Sequence, residues 1–105
     1  MRKDYINVLI KKPGLPPHFA TVRNELPYLQ AVVGGYIECF PIATDCVIIC
    51  NEEGKLMHLP HNCNICGEDF VGTIMLVGVD GEEFTDFPLT LEGARQTLAN
   101  LWEVS

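Results

Sequence analysis

Four side chains that can bind a metal ion lie within nine residues of one another: His58, His61, Cys63 and Cys66. Imidazole and thiolate groups with a Cys-x-x-Cys pair among them are the ligands of tetrahedral zinc sites. Zinc modules usually take two ligands from a distant element, whereas this chain has a single Cys-x-x-Cys pair. A redox dithiol is disfavoured because no predicted helix begins at Cys63. The pattern therefore favours a surface loop without a cofactor, and a zinc-stabilised adaptor is the alternative.

Four polar side chains form a second candidate site. Tyr36 and Glu38 share one face of a predicted strand, and Asn51 and Asn62 lie in a turn and a loop near the ends of later strands. An aromatic ring for stacking, a carboxylate acceptor and two amides suit a small polar or nucleotide-like ligand. The alternative is structural: Tyr36 fills the sheet, and the two asparagines shape the turn and the loop.

The sequence carries none of the common catalytic motifs. Gly-x-Ser-x-Gly, Gly-x-x-x-x-Gly-Lys and Gly-x-Gly-x-x-Gly are all absent. Cys39, Cys46 and Cys50 fall in apolar strands, where they resemble small core residues rather than exposed nucleophiles with a histidine partner. We therefore expect a protein without catalytic residues, one that is not an enzyme.

Charge is distributed unevenly along the 105 residues, whose formal net charge is −7. Five basic residues and one acidic residue give residues 1–23 a charge of +4, and two basic and thirteen acidic residues give the remainder −11. Such acidity opposes the phosphate contacts on which nucleic-acid binding depends, so we expect no direct nucleic-acid partner. The carboxylates form either a solvated face or an acidic interaction surface.

Alternation of apolar and polar residues predicts the elements that must position these side chains. The predicted strands are residues 5–12, 18–23, 36–42, 46–50, 55–59 and 73–79. Asn24 is expected to cap a helix over residues 25–33 that Gly34 and Gly35 end, and Thr90 to cap a second helix. Residues 60–69 are predicted to be a polar loop, and residues 82–88 an acidic connection.

This order of elements predicts an α+β fold in one domain, residues 1–105: a mostly antiparallel sheet of five to six strands with two helices packed on it. Exposed edge strands in so small a sheet favour a homodimer. The odd number of cysteines suits a reducing compartment, and we expect neither a signal peptide nor a membrane span. The expected location is the cytoplasm.

Several short motifs, in order along nearly the whole chain, resemble one known family. They are Gly-Gly-Tyr-Ile-Glu at residues 34–38, Cys-Asn-Glu-Glu-Gly-Lys-Leu at 50–56, Leu-Pro-His-Asn at 59–62 and Gly-Thr at 72–73. The chain thereby resembles the domain-of-unknown-function 3846 family, which has no catalytic residues to carry over. His58, Cys63 and Cys66 are not typical of that family, so a site built on them would belong to this member.

The resemblance implies a small accessory protein of a bacteriophage or other mobile genetic element, acting in the cytoplasm of a bacterial host. We therefore expect a non-enzymatic inhibitor that binds a host component of antiviral defence and blocks or sequesters it. The expected host component is either a protein or a small nucleotide-like ligand. The alternative is an acidic protein-interaction module that masks a nucleic-acid-binding surface of another protein.

Overall fold

The computed structural model describes residues 2–103, which form eight strands, two α-helices and a short 3₁₀-helix. The strands are β1 (Tyr5–Lys11), β2 (His18–Arg23), β3 (Ile37–Ala43), β4 (Cys46–Asn51), β5 (His61–Ile65), β6 (Glu68–Val71), β7 (Ile74–Asp80) and β8 (Glu83–Thr85). The helices are α1 (Leu26–Val33), α2 (Leu91–Thr97) and the 3₁₀-helix Ala99–Trp102. Within this part of the chain, no helix has the length and apolarity to cross a membrane.

Six strands form one sheet, in which every pairing is antiparallel. The order is β2-β1-β7-β4-β3, and β8 pairs with the second half of β7, next to the start of β1. Strands β5 and β6 form a separate two-stranded sheet. With its two helices, this arrangement confirms the predicted α+β fold.

Both faces of the six-stranded sheet are covered. Leu29 and Val33 of α1 pack on one face, against the side chains Ile6, Val8, Ile10, Val47, Ile49, Met75 and Val77. The β5–β6 hairpin, α2 and the 3₁₀-helix cover the opposite face, where the buried side chains include Leu9, Ile48, Cys63, Ile65, Phe70, Ile74, Leu76, Ala94 and Leu101. The central strands are therefore apolar on both faces, as the run from Ile74 to Val77 requires.

Strand β2 forms one edge of the sheet. A single hydrogen bond identifies which of its backbone groups are not bonded to β1. The amide of Asn24 donates to the carbonyl of Asp4 at 2.8 Å. Because hydrogen-bonded pairs alternate along an antiparallel ladder, the next bonded pairs toward the hairpin turn have Val22 and Ala20 on β2. The backbone groups of Phe19, Thr21 and Arg23 therefore point away from β1.

Strand β3 forms the opposite edge and differs in one residue. The amide of Glu52 donates to the carbonyl of Tyr36 at 2.9 Å, so by the same alternation Ile37, Cys39 and Pro41 point their backbone groups outward. Pro41 has no N–H to offer, and a bulge follows between Pro41 and Ala43. Proline and a bulge are two devices that keep an edge strand from pairing with another chain.

Three segment predictions were wrong, one of them the acidic connection over residues 82–88, which contains β8 because these residues pair with the end of β7. Residues 55–59 form a turn rather than a strand, because β7 already pairs with the side of β4 on which such a strand would lie. Residues 60–69 are not a loop: they contain β5 and the start of β6. Cys66 and Gly67 join these strands with φ of 53° and 82°, the two successive positive values of a tight hairpin turn.

The helix ends follow the sequence signals in part. Gly34 ends α1 at φ 80°, and the side chain of Thr90 accepts a hydrogen bond from the amide of Gly93, as predicted. The predicted cap of α1 was wrong, since the capping position is Glu25. The buried Asn24 amide instead donates to the carbonyls of Lys3 and Phe84, which fastens the chain between β2 and α1 to two other segments.

Candidate functional site

A cleft lies where the end of the sheet formed by β3 and β4 faces strand β6 of the hairpin. The turn after β4 closes one end, and the cavity has a volume of about 280 Å³. Its lining residues are Glu38, Phe40, Cys50, Asn51, Glu52, Lys55, Leu56, Glu68, Asp69, Phe70 and Val71. Small-molecule sites begin near this size, and the cleft is equally suited to one or two side chains of another protein. We call it the acidic cleft.

The inner wall of the acidic cleft is apolar. Phe40 and Phe70 meet edge to face with ring centroids 5.5 Å apart, which joins the sheet to the hairpin. Cys50 lies beside them, half-buried, with its Sγ 3.7 Å from the carbonyl of Glu38. Burial, and then the neighbouring Glu38, raises the pKa of the Cys50 thiol to about 11. This cysteine is therefore a neutral thiol at physiological pH, and not a ready nucleophile.

Carboxylates surround the opening. Glu68 Oε1 lies 3.4 Å from Lys55 Nζ, and Asp69 Oδ1 lies 3.5 Å from Nε2 of His61. Hydrogen bonds from Asn64 and His61 hold the pKa of Asp69 below its usual value. Two further carboxylates, Glu38 and Glu52, form no ion pair within residues 2–103. Four carboxylates and one lysine give the cleft an excess of negative charge.

The buried side chain of Asn51 fixes the turn that closes one end of the cleft. Its Oδ1 accepts a hydrogen bond from the amide of Glu53 at 2.8 Å, and its Nδ2 donates to the carbonyl of Val33 at 3.2 Å. These contacts tie the turn that carries Glu52 to the last residue of α1. Gly35 must lack a side chain there, because a Cβ would lie 2.8 Å from the Asn51 Nδ2.

The structure brings together two of the four residues of the predicted polar site. Glu38 and Asn51 both line the acidic cleft, although Asn51 is buried and its amide is used by backbone groups. Tyr36 precedes β3 and is 67% exposed, outside the set of lining residues. Asn62 lies across the hairpin and lines a different cavity, of about 290 Å³.

In that second cavity, Asn62 and Lys11 have structural roles. The Nδ2 of Asn62 donates to the carbonyls of Lys11 and Gly72 at 2.8 and 2.7 Å, which pins the hairpin to β1. Lys11 is only 1% exposed, and its Nζ donates to the carbonyl of Lys12 at 3.0 Å. Burial lowers the pKa of Lys11. This buried lysine could not be predicted from the sequence, because a charged residue at the end of a strand is ordinarily exposed.

The four candidate zinc ligands are dispersed. Cys63 is buried in the core, where burial raises the pKa of its thiol, whereas Cys66 is exposed in the hairpin turn. His58 is exposed in the turn after β4, and His61 contacts Asp69 on the hairpin surface. Across residues 2–103, no three His, Cys, Asp or Glu side chains are close enough together to hold a metal ion. The hairpin turn itself explains the spacing of Cys63 and Cys66.

Sequence reasoning missed most of the cleft. Phe40, Lys55, Glu68 and Asp69 line it, but the predicted loop over residues 60–69 includes the start of β6 and therefore gives no strand opposite β3. A usable signal was present in residues 63–70, in which Cys63, Ile65 and Phe70 are the apolar positions of a hairpin around a glycine turn. Recognising that hairpin would have turned Glu68 and Asp69 into candidates.

Comparison with known proteins yields one family. The model of the Domain of unknown function (DUF3846) family matches residues 6–98, which covers most of the chain. No curated protein and no solved structure matches the chain.

Proposed function

The chain belongs to the DUF3846 family, and from this premise we propose that it is a non-enzymatic binding module whose acidic cleft takes a basic segment of a partner protein. The observation that carries the proposal is the pair of carboxylates, Glu38 and Glu52, that stand at the cleft without a cationic partner within residues 2–103. Charges of one sign around a concave site attract and orient an oppositely charged partner.

The shape of the wall supports lysine or arginine as the inserted residue. Both side chains have an apolar stem below a cationic end, so the stem can lie against Phe40 while the charge meets the carboxylates. Leu56 is 80% exposed at the same cleft and offers further apolar contact. An apolar anchor inside a polar rim is the usual anatomy of a protein interface.

A nucleotide-like ligand fits the cleft less well. Its phosphates would meet four carboxylates and a single lysine, Lys55, whose Nζ already contacts Glu68. Neither Tyr36 nor Asn62, the ring and the amide that were expected to hold a base or sugar, is among the lining residues. The charge of the cleft therefore favours a cationic protein segment over a phosphate compound.

The absence of a catalytic role is part of the proposal. Cys50 is the nucleophilic side chain at the cleft, and burial holds its pKa far above neutrality. The lining residues include no histidine that could activate it. What the cleft supplies is charge and apolar surface, which serve binding.

In the phage or mobile-element setting that the family resemblance implies, the partner is a host protein whose basic, nucleic-acid-binding surface becomes covered. Such surfaces are rich in lysine and arginine, which is the chemistry that the acidic cleft selects. Binding there would block access of the nucleic acid, as an acidic decoy does, and would require no reaction.

The test is binding of a fluorescein-labelled lysine- and arginine-rich peptide, followed by anisotropy and compared with the same peptide carrying glutamine at every basic position. We expect the doubly changed variant Glu38→Gln, Glu52→Gln to raise the Kd of the basic peptide about fivefold or more, since exposed ion pairs contribute up to about 1 kcal/mol each. Raising the salt from about 50 to about 500 mM should weaken wild-type binding at least about tenfold.

The matched control is Glu82→Gln, Glu83→Gln, which removes two exposed carboxylates in and beside the β7–β8 turn and changes the net charge equally. If the control variant loses as much affinity as the cleft variant, binding follows net charge alone and the acidic cleft is not the site. Equal affinity for the glutamine peptide would also overturn the proposal, because then charge plays no part.

A further inference from the structure

The free edge of β2 is a second interaction surface, and we infer that it pairs with the same edge of a second copy of this chain. The backbone N–H and C=O groups of Phe19, Thr21 and Arg23 point away from β1. Every second residue along β2 can therefore form hydrogen bonds with another strand. An edge of this kind is a template for another strand, and nothing in residues 2–103 pairs with it.

The backbone groups are self-complementary about a two-fold axis at Thr21. In an antiparallel arrangement, Thr21 then faces Thr21 of the second copy, and each Phe19 faces an Arg23. All three outward positions on each strand fall into hydrogen-bonded pairs, giving up to about six backbone hydrogen bonds. The carbonyl of Arg23 already accepts one bond from the amide of Glu25 at 2.9 Å and retains a second lone pair.

The side chains fit the same register. Threonine opposite threonine is a favourable cross-strand pair, and Arg23 and Phe19 keep their contacts with Glu25 and Phe87 of their own chain. Between these positions of β2, the half-buried Ala20 of one copy faces the half-buried Val22 of the other, which extends the apolar layer beside α1 across the junction. No like charges stand directly opposite each other in this register.

Charge does not oppose contact at this edge, because the guanidinium of Arg23 is paired with Glu25 of its own chain at 2.8 Å. The chain is acidic as a whole, at −7, but its first 23 residues carry +4. Two copies that meet along β2 bring these basic segments together with Arg23 already paired, whereas meeting along β3 would bring Glu38 of each copy, unpaired within residues 2–103, toward the other. The acidic clefts lie at the far end of the sheet and remain open in such a dimer.

The edge of β3 cannot form the equivalent contact. A two-fold axis at Cys39 would place Pro41 opposite Ile37 in both directions, and proline supplies no N–H for either pair. The bulge after Pro41 also bends the strand away from a straight ladder. The two edges thus differ in a way that an experiment can separate.

The test is disulfide capture with a cysteine at each edge. Thr21→Cys, made together with Cys39→Ser and Cys66→Ser, places one exposed thiol at the β2 axis, where the paired Cα atoms would lie about 5.5 Å apart, within disulfide range. The matched control is Cys66→Ser alone, which retains the natural Cys39 at the β3 axis. We expect mild oxidation to give a covalent dimer from the first protein at least about tenfold faster than from the control.

Analytical ultracentrifugation supplies the second measurement. Wild-type protein should show a concentration-dependent dimer, and Thr21→Lys should raise its dissociation constant at least about tenfold, because two lysines then face each other at the axis. Thr21 is exposed, so circular dichroism should show that the variant folds as the wild type does. A monomeric wild type at the highest soluble concentration, or equally fast capture through Cys39, would overturn the inference.

Discussion

The two edge strands of the sheet both have unpaired backbone groups, but only β3 has features that prevent pairing with another chain. Strand β3 carries Pro41 and a bulge and borders the acidic cleft, where the buried amide of Asn51 holds the turn after β4 to α1. Strand β2 has neither device, lies in the basic part of the chain and leaves three residues open for pairing. In the two proposals above, the protected edge borders the site for an unlike partner, and the open edge pairs with a second copy of the chain.

The largest expected effect on stability concerns Asn51, the buried last residue of β4, the strand beside β3. Asn51→Ala should lower the free energy of unfolding by about 2–4 kcal/mol, because the amide of Glu53 and the carbonyl of Val33 both lose their hydrogen-bond partner. The counterpart at the other edge is Thr21→Ala, whose exposed hydroxyl donates to Asn7 Oδ1 at 2.7 Å. That variant should lose less than about 1 kcal/mol. Urea unfolding measures both, and equal losses would contradict the contrast between the edges.

The next effect is a difference in alkaline behaviour. Burial raises the pKa of Cys46 and of Cys50, both on β4, to about 11. A group whose pKa is raised on folding stabilises the fold below its unfolded pKa, and this contribution is lost as the pH rises through the folded pKa. We therefore expect stability to fall between about pH 9 and 11, by about 2 kcal/mol for the buried Cys46.

Lys11 on β1 should act with the opposite sign. Burial lowers its pKa, so its folded form loses the proton first, and its contribution to stability grows as the pH rises toward the ordinary lysine value. Urea midpoints at pH 8 and pH 10.5 distinguish the two groups. Cys46→Ala should flatten the alkaline decline, whereas Lys11→Met should steepen it; a difference between the two pH values that is the same in the wild type and in both variants would refute both assignments.

The smallest effect on stability is expected for Pro41→Thr, which is also the most direct test of the difference between the two edge strands. Threonine restores an N–H at an outward position of β3 and should change the free energy of unfolding by less than about 1 kcal/mol. We expect it to create a second edge able to pair, seen as larger assemblies by ultracentrifugation and as faster disulfide capture through Cys39. An unchanged sedimentation profile would mean that the bulge alone protects β3.

The sequence was sufficient for elements whose signals are local. The alternating strands, the glycine that ends α1 and the threonine that caps α2 were all predicted, since each depends on residues within a few positions. It was insufficient where a distant strand decides the outcome. Residues 55–59 have a strand-like composition, but β7, from much later in the chain, occupies the place beside β4.

The candidate site shows the same limit. Glu38 and Asn51 were found because they flank one hairpin, whereas Glu68 and Asp69 reach the cleft only through the packing of Phe70 on Phe40. The cysteines and histidines of residues 58–66 drew attention as ligands and concealed a hairpin whose turn needs positive φ at Cys66 and Gly67. Chemistry read from residue types alone thus misplaced the wall of the cleft.

The position of β7 in the centre of the sheet has a consequence for how the chain folds. The β1–β2 and β3–β4 hairpins are each local, but within the sheet they are joined by Ile74–Asp80, which pairs with both β1 and β4. During synthesis both hairpins emerge before the strand that unites them, and their apolar faces stay uncovered until then. Folding accordingly depends on contacts of long sequence separation, which makes it slower than in a protein of this size whose contacts are local.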